Sequence, residues 1–121
     1  MKPFLTALAI SSISIFAGQS DGRLDVIWSD VEGGAGTLIV TPGGESVLID
    51  SGNPGGRDSG RIHKAATEAG LKRIDHLITT HLHVDHFGGA AELAKLIPIG
   101  VVWDNGIPTL IRMAAMTLRG R

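Results

Sequence analysis

Four side chains able to bind a metal or move a proton fall within six consecutive residues, His81, His83, Asp85 and His86. They hold three of the five histidines in the chain. Neutral imidazole and carboxylate are borderline-to-hard donors that suit zinc, and iron or manganese also accept them. His81 and His83, two apart on an extended segment, project to the same side. Asp85 and His86 follow on a segment that must bend, because Gly88 and Gly89 come next. The four donors are therefore expected to converge on one small volume. A polar loop incidentally rich in histidine is the bland alternative, but packing requires no such density of ligands between an apolar run and a glycine pair. There is no cysteine, so any metal must be held by nitrogen and oxygen.

The elements around this stretch must place it. Ile74–Thr79 reads as a strand delivering the chain into the cluster. Beyond it, Ala90, Leu93, Ala94 and Ile97 recur at helical spacing and stop at Pro98. The N-terminus of that helix would lie against the ligands, where its unpaired N–H groups favour negative charge. Glu92 is expected on its solvent side. His76 lies about 16 Å from His81 if five extended residues separate them, so it is left out of the site.

Upstream, Leu24–Trp28 alternates as a strand, with Leu24, Val26 and Trp28 on one face. Thr37–Thr41 and Ser46–Ile49 are β-branched runs joined by Pro42-Gly43-Gly44-Glu45, a hairpin in which Pro42 and Gly43 suit a type II turn. Both runs are apolar at consecutive positions, which calls for cover on both sides of the sheet. Asp50, at the end of the second run beside Ser51 and Gly52, reads first as a turn former. Asp58 or Ser59 is expected to cap a helix over 60–69, with Ile62, Ala65, Ala66 and Ala69 as its apolar stripe and Gly70 as its stop. Ile99–Trp103 is a further strand, and residues 107–118 repeat apolar positions at helical spacing. The order of strands and helices places the chain in the α/β class.

Size and composition bound the rest. A chain of 121 residues is one domain at most. A net charge of −1 and the lack of a basic stripe leave no clear nucleic-acid surface. Lys2 is the only charge before Asp21, and residues 4–17 are apolar or small. This is the pattern of a secretory signal peptide over residues 1–20, with an uncleaved N-terminal anchor as the alternative. Export to the periplasm or the medium is the expectation. The apolar segment is short of the about 20 residues that a bilayer span needs.

With its strand and helix in place, His81-x-His83-x-Asp85-His86, preceded by Thr80 and followed by Gly88-Gly89, resembles the signature of the metallo-β-lactamase superfamily. Val47–Gly52 is similar to the family's earlier strand ending in aspartate and glycine, and Ile74–Thr80 to the strand that leads into its metal loop. The resemblance spans 24–103. It implies an αββα sandwich with one or two zinc ions at one edge, His81 and His83 serving the first and Asp85 and His86 the second. Asp85 is then also the catalytic candidate, orienting the nucleophilic water or taking its proton. Asp50 is expected to support the metal loop. The implied activity is hydrolysis by a metal-bound hydroxide of an ester, thioester, lactone, amide or phosphodiester in a small-molecule substrate.

The chain also departs from the family. Two zinc ions call for about six protein ligands, and the cluster supplies four. No histidine follows His86, and the later acids are Glu92 and Asp104. Residues 21–121 thus look like the N-terminal half of such a domain, truncated at its C-terminus. The expected consequences are a partly uncovered sheet, self-association through it, and an incomplete catalytic site. A non-catalytic metal-binding or interaction module built on half of the fold is the second reading.

Overall fold

The computed structural model describes residues 22–106. The proposed signal segment and the helical pattern over 107–118 lie outside the described residues. Five strands form one mixed sheet in sequence order: β1 (Asp25–Trp28), β2 (Thr37–Val40), β3 (Ser46–Ile49), β4 (Ile74–Ile78) and β5 (Ile99–Trp103). β1, β2 and β3 are an antiparallel meander, whereas β3, β4 and β5 run parallel. Helix α1 (Arg57–Glu68) crosses from β3 to β4. The short turn α2 (Val84–Phe87) and helix α3 (Ala90–Leu96) cross from β4 to β5. Among the described residues no helix is long and apolar enough to cross a membrane.

This order determines which face is covered. Parallel crossovers are right-handed, and successive strands are added here in one direction. Both crossover helices must then lie on the same face. α1 and α3 indeed pack on one side and on each other. There they bury Leu38, Val40, Leu48, Ile62, Ala66, Ile74, Leu77 and Leu93 completely or nearly so. Each fully buried leucine contributes about 1.5–3 kcal/mol relative to exposure. The opposite face bears Val26, Trp28, Ile78, Val101 and Trp103, all exposed, with Ile39, Val47 and Ile49 half-buried. Trp28 is 77% exposed and Trp103 54%. The cover expected on both sides is thus present on one, among the described residues.

Local details correct the sequence reading at three points. The hairpin turn closes through the Gly44 N–H donating to the Thr41 carbonyl, at 2.9 Å, and the left-handed φ falls on Gly44, not Gly43. A type I turn followed by a left-handed residue suits the twist of a hairpin. α1 begins at Arg57, before the expected start, with Gly56 as its N-cap and no side-chain cap bond. Asp58 and Ser59 therefore sit inside its first turn, bonded elsewhere. In α3, Leu93 and Ile97 are buried as expected, but Ala94 is exposed. Gly70 does stop α1, with φ +76° and its N–H on the Thr67 carbonyl.

Two acids, Asp58 buried and Asp75 partly so, tie strands and loops together. Asp75 accepts the N–H and hydroxyl of Ser46, both at 2.9 Å, tying β4 to the start of β3. Asp58 accepts the Asn53 N–H at 2.9 Å and pairs with Arg57. Burial works to raise both carboxyls, yet these bonds and the neighbouring arginines hold both below the ordinary value. A carboxyl lowered in the folded state stabilises above its unfolded pKa of about 3.9 and loses that contribution as pH falls through the folded value. Urea titrations at pH 7 and in acid should thus show stability falling below about pH 4. The fall should be smaller in Asp75→Asn, and an equal fall in that variant would refute the assignment.

Candidate metal centre

The three parallel strands point their C-terminal ends at one edge of the sheet, where ligands bind in open α/β folds. β3 ends there in Asp50, and β4 in Thr79, Thr80 and His81. The chain then turns through α2, so that Asp85 and His86 lie on a single helical turn with His83 as its N-cap. The His86 and Phe87 N–H groups both donate to the His83 carbonyl, at 2.9 and 3.3 Å. Four residues are too few for a helical period to be visible in the sequence.

The structure brings all four candidate residues together, as two pairs. His81 Nε2 lies 3.0 Å from His83 Nδ1. His86 Nε2 lies 3.8 Å from Asp85 Oδ2. The rings of His81 and His86 connect the pairs, with centroids 3.9 Å apart. Two donors on one tetrahedral zinc stand about 3.3 Å apart, given bonds of about 2.0–2.1 Å. Both pairs are close to that spacing. No three His, Asp or Glu side chains form a finished metal cage among the described residues. The full convergence expected from the sequence is therefore reached only pairwise, since the His81 and His83 ring nitrogens bond to each other.

Behind the pairs stands Asp50, which is 1% exposed. Its Oδ1 accepts the Thr80 N–H at 2.8 Å. Its Oδ2 accepts the Thr80 hydroxyl at 2.8 Å and His86 Nδ1–H at 2.7 Å. The Thr80 proton is then committed to Asp50, so Thr80 Oγ1 accepts from His81 Nδ1, 3.1 Å away. This accounting of donors assigns Nδ1–H to both His81 and His86 and so puts a lone pair on each Nε2, that of His81 facing His83 Nδ1 and that of His86 facing Asp85. A ligating histidine whose other nitrogen donates to a carboxylate or hydroxyl is the usual outer support of a metal site. The donor set thus fits a metal. Burial works to raise the Asp50 carboxyl, but the bonds from His86 and Thr80 outweigh it and hold the group below its ordinary value. Asp50 also has a left-handed backbone, φ +61°, which aspartate tolerates better than most residues.

Asp50 is thus more than a turn former, a role that its residue type and place alone left open and that the family resemblance implied. Further contacts fix the loop. The Ser51 N–H donates to the His86 carbonyl at 2.6 Å, and the Gly89 N–H to the Gly52 carbonyl at 3.0 Å. On the other side the Ala35 N–H reaches the Asp85 carbonyl at 3.4 Å, where a side chain on Gly34 would collide with the Asp85 backbone. His76 lies outside this network, bonded to Glu45 and to the Trp103 indole. Glu92 keeps part of its surface in solvent, as expected, but it is also tied down. It binds the backbone of Gly55 and Gly56.

Comparison with known proteins agrees with this architecture. The family model described as the metallo-beta-lactamase superfamily matches residues 30–118. The chain is 36% identical over 97 residues to a UPF0173 metal-dependent hydrolase of Polynucleobacter asymbioticus, covering 75% of this chain and 33% of that protein. It is 31% identical over 101 residues to another from Cupriavidus metallidurans, covering 82% of this chain and 33% of that protein. A lactamase-like protein from an Aspergillus species is 31% identical over 65 residues, 54% of this chain and 20% of its own length. The chain spans about a third of the length of the first two relatives. With its ligand loop at the end of β4, its supporting aspartate at the end of β3 and a family match across most of its length, this chain belongs to the metallo-beta-lactamase superfamily.

Proposed function

We propose that this chain carries the first ligand set of a metal-dependent hydrolase, with zinc as the metal its donors suit best. The observation that carries this reading is the Asp50–Thr80 network, which keeps the ring proton of His81 and His86 on Nδ1 and so puts a lone pair on each Nε2, beside His83 and Asp85. His81 and His83 would hold one ion, and Asp85 with His86 a second. Iron or manganese would accept the same donors. When bound, zinc acidifies water toward a pKa of about 7 and polarises the bond to be cut.

The protein's own part is to orient and to move protons. Asp50 and Thr80 set the two tautomers. Asp85 Oδ2, beside His86 Nε2, is the atom proposed to accept a proton from the attacking water. The names of the UPF0173 relatives, metal-dependent hydrolases, support the reaction type. We extend it to a small-molecule ester, thioester, lactone, amide or phosphodiester. We also propose self-association through the bare sheet face around Trp28 and Trp103, and export directed by residues 1–20.

Zinc titration of the 121-residue chain tests the reading. His81→Ala should weaken binding by about tenfold or more, since it removes a ligand outright. Turnover of a generic ester or phosphodiester that disappears in His81→Ala would establish hydrolysis. Zinc binding without turnover would favour the metal-binding module, and no binding by the wild-type chain would refute both.

A further inference from the structure

Glu92 has a task that the metal reading does not use. Its carboxylate accepts the Gly55 N–H at 2.9 and 3.1 Å, the Gly56 N–H at 2.7 Å and the Ser59 hydroxyl at 3.3 Å. These groups surround the start of α1, whose N-cap Gly56 has a left-handed backbone and no side chain to offer. An acid on α3 therefore holds the turn that leads into α1, and the positive end of the helix favours its charge. The bonds from Gly55 and then Gly56 hold the Glu92 carboxyl below its ordinary value.

The loop that Glu92 grips is the one that touches the ligand loop. Ser51 bonds to the His86 carbonyl, the Gly52 carbonyl accepts from Gly89, and Pro54 lies against Gly88 so closely that a side chain there would collide with it. Residues 51–56 and 86–92 are thus laced together along their length, with the Asp50–His86 bond at one end and Glu92 at the other. Without the Glu92 end, Gly55 and Gly56 lose their acceptor, and nothing charged draws their loop onto α3.

We propose that Glu92 is a positioning residue for the metal-ligand loop. It clamps residues 53–56 to the first turn of α3 and so fixes Gly88 and Gly89, and through them His86. This assignment rests on the metal reading for its functional meaning, but the clamp itself is measurable without metal.

Two measurements on the whole chain test it, amide exchange at Ser51 and Gly89 in metal-free protein and zinc affinity by chelator competition. Glu92→Ala should speed exchange at both amides and weaken zinc binding, each by about tenfold, the scale of an outer-shell loss at a metal site. Glu92→Gln keeps one acceptor oxygen and should change each by only about threefold. The core variant Val40→Ala, destabilising but at the opposite end of the sheet from the clamp, should leave zinc affinity unchanged. If the alanine variant does not fold, the glutamine variant decides, an intermediate change supporting the clamp and none overturning it. Wild-type exchange at Ser51 and Gly89 in Glu92→Ala, or glutamine no better than alanine, overturns the proposal. A wild-type chain that binds no zinc, with exchange still faster in Glu92→Ala, removes the metal reading and leaves the clamp standing.

Discussion

Asp50→Asn is expected to leave the chain folded and to weaken zinc binding by about 10–100-fold, the scale found for outer partners of ligating histidines. Asparagine tolerates the left-handed backbone at this position, φ +61°, about as well as aspartate. Its carbonyl still accepts the Thr80 N–H. Its amide, however, stands where Oδ2 accepts from both the Thr80 hydroxyl and His86 Nδ1. Threonine answers by rotating. Histidine answers by taking the other tautomer, which puts its proton on Nε2 and removes the lone pair a metal needs.

Asp50→Ala should behave differently, because it strips every partner from a site that is 1% exposed and leaves an alanine with positive φ. Leaving a buried donor without its acceptor costs about 1–3 kcal/mol for each group left unpaired. Such a loss is a large share of a total stability of about 5–15 kcal/mol. Imidazole nitrogen shifts of His86, zinc competition and urea unfolding separate the two effects. Wild-type zinc affinity and unchanged His86 shifts in Asp50→Asn would refute the assigned network.

Gly89→Ala should destabilise the fold by about 1–3 kcal/mol. Backbone conformation is no obstacle, since Gly89 has φ −79° and ψ −11°. The obstacle is space. A side chain there would run into the Ser51 carbonyl oxygen and lie 3.2 Å from that of Asn53, both of them backbone atoms unable to swing away. The Gly89–Gly52 bond would break with them, and His86 would lose its anchor to Ser51. Gly60→Ala supplies the contrast. That glycine lies within α1, its φ is not positive, and nothing stands within 4 Å of an added side chain. It should stabilise by about 0.5–1 kcal/mol. Urea midpoints moving in opposite directions confirm the comparison, and a stabilised Gly89→Ala would show the contact at Ser51 to be wrong.

Gly89 also marks what a motif leaves unsaid. From the sequence, Gly88 and Gly89 allow backbone to approach the ligands closely. The structure identifies the backbone that approaches as the loop leaving β3, which arrives from about 35 positions earlier in the chain. The same distance hides the role of Glu92, whose place on a helix shows its solvent side but not its bonds to the amides of Gly55 and Gly56. The hairpin turn differed for a smaller reason. Pro42-Gly43 satisfies the local rule for a type II turn, but strand twist selects the geometry that puts positive φ on Gly44.

The sequence by itself determined the strands, because β-branched runs bounded by glycine and proline leave them few other conformations. It determined α1 through the stripe of Ile62, Ala66 and Ala69, and it marked His81, His83, Asp85 and His86 as candidate donors through residue type and spacing. All of these are local properties. Tertiary structure alone decided which sheet face is bare, because that follows from the handedness of two successive crossovers. It alone decided how the donors are aimed, because Asp50 meets His86 only when β3 and β4 lie side by side and end at the same edge. Hydrogen-bond partners separated by 36 residues leave no periodicity to read, and their pairing is set by strand order rather than by any property of either residue alone.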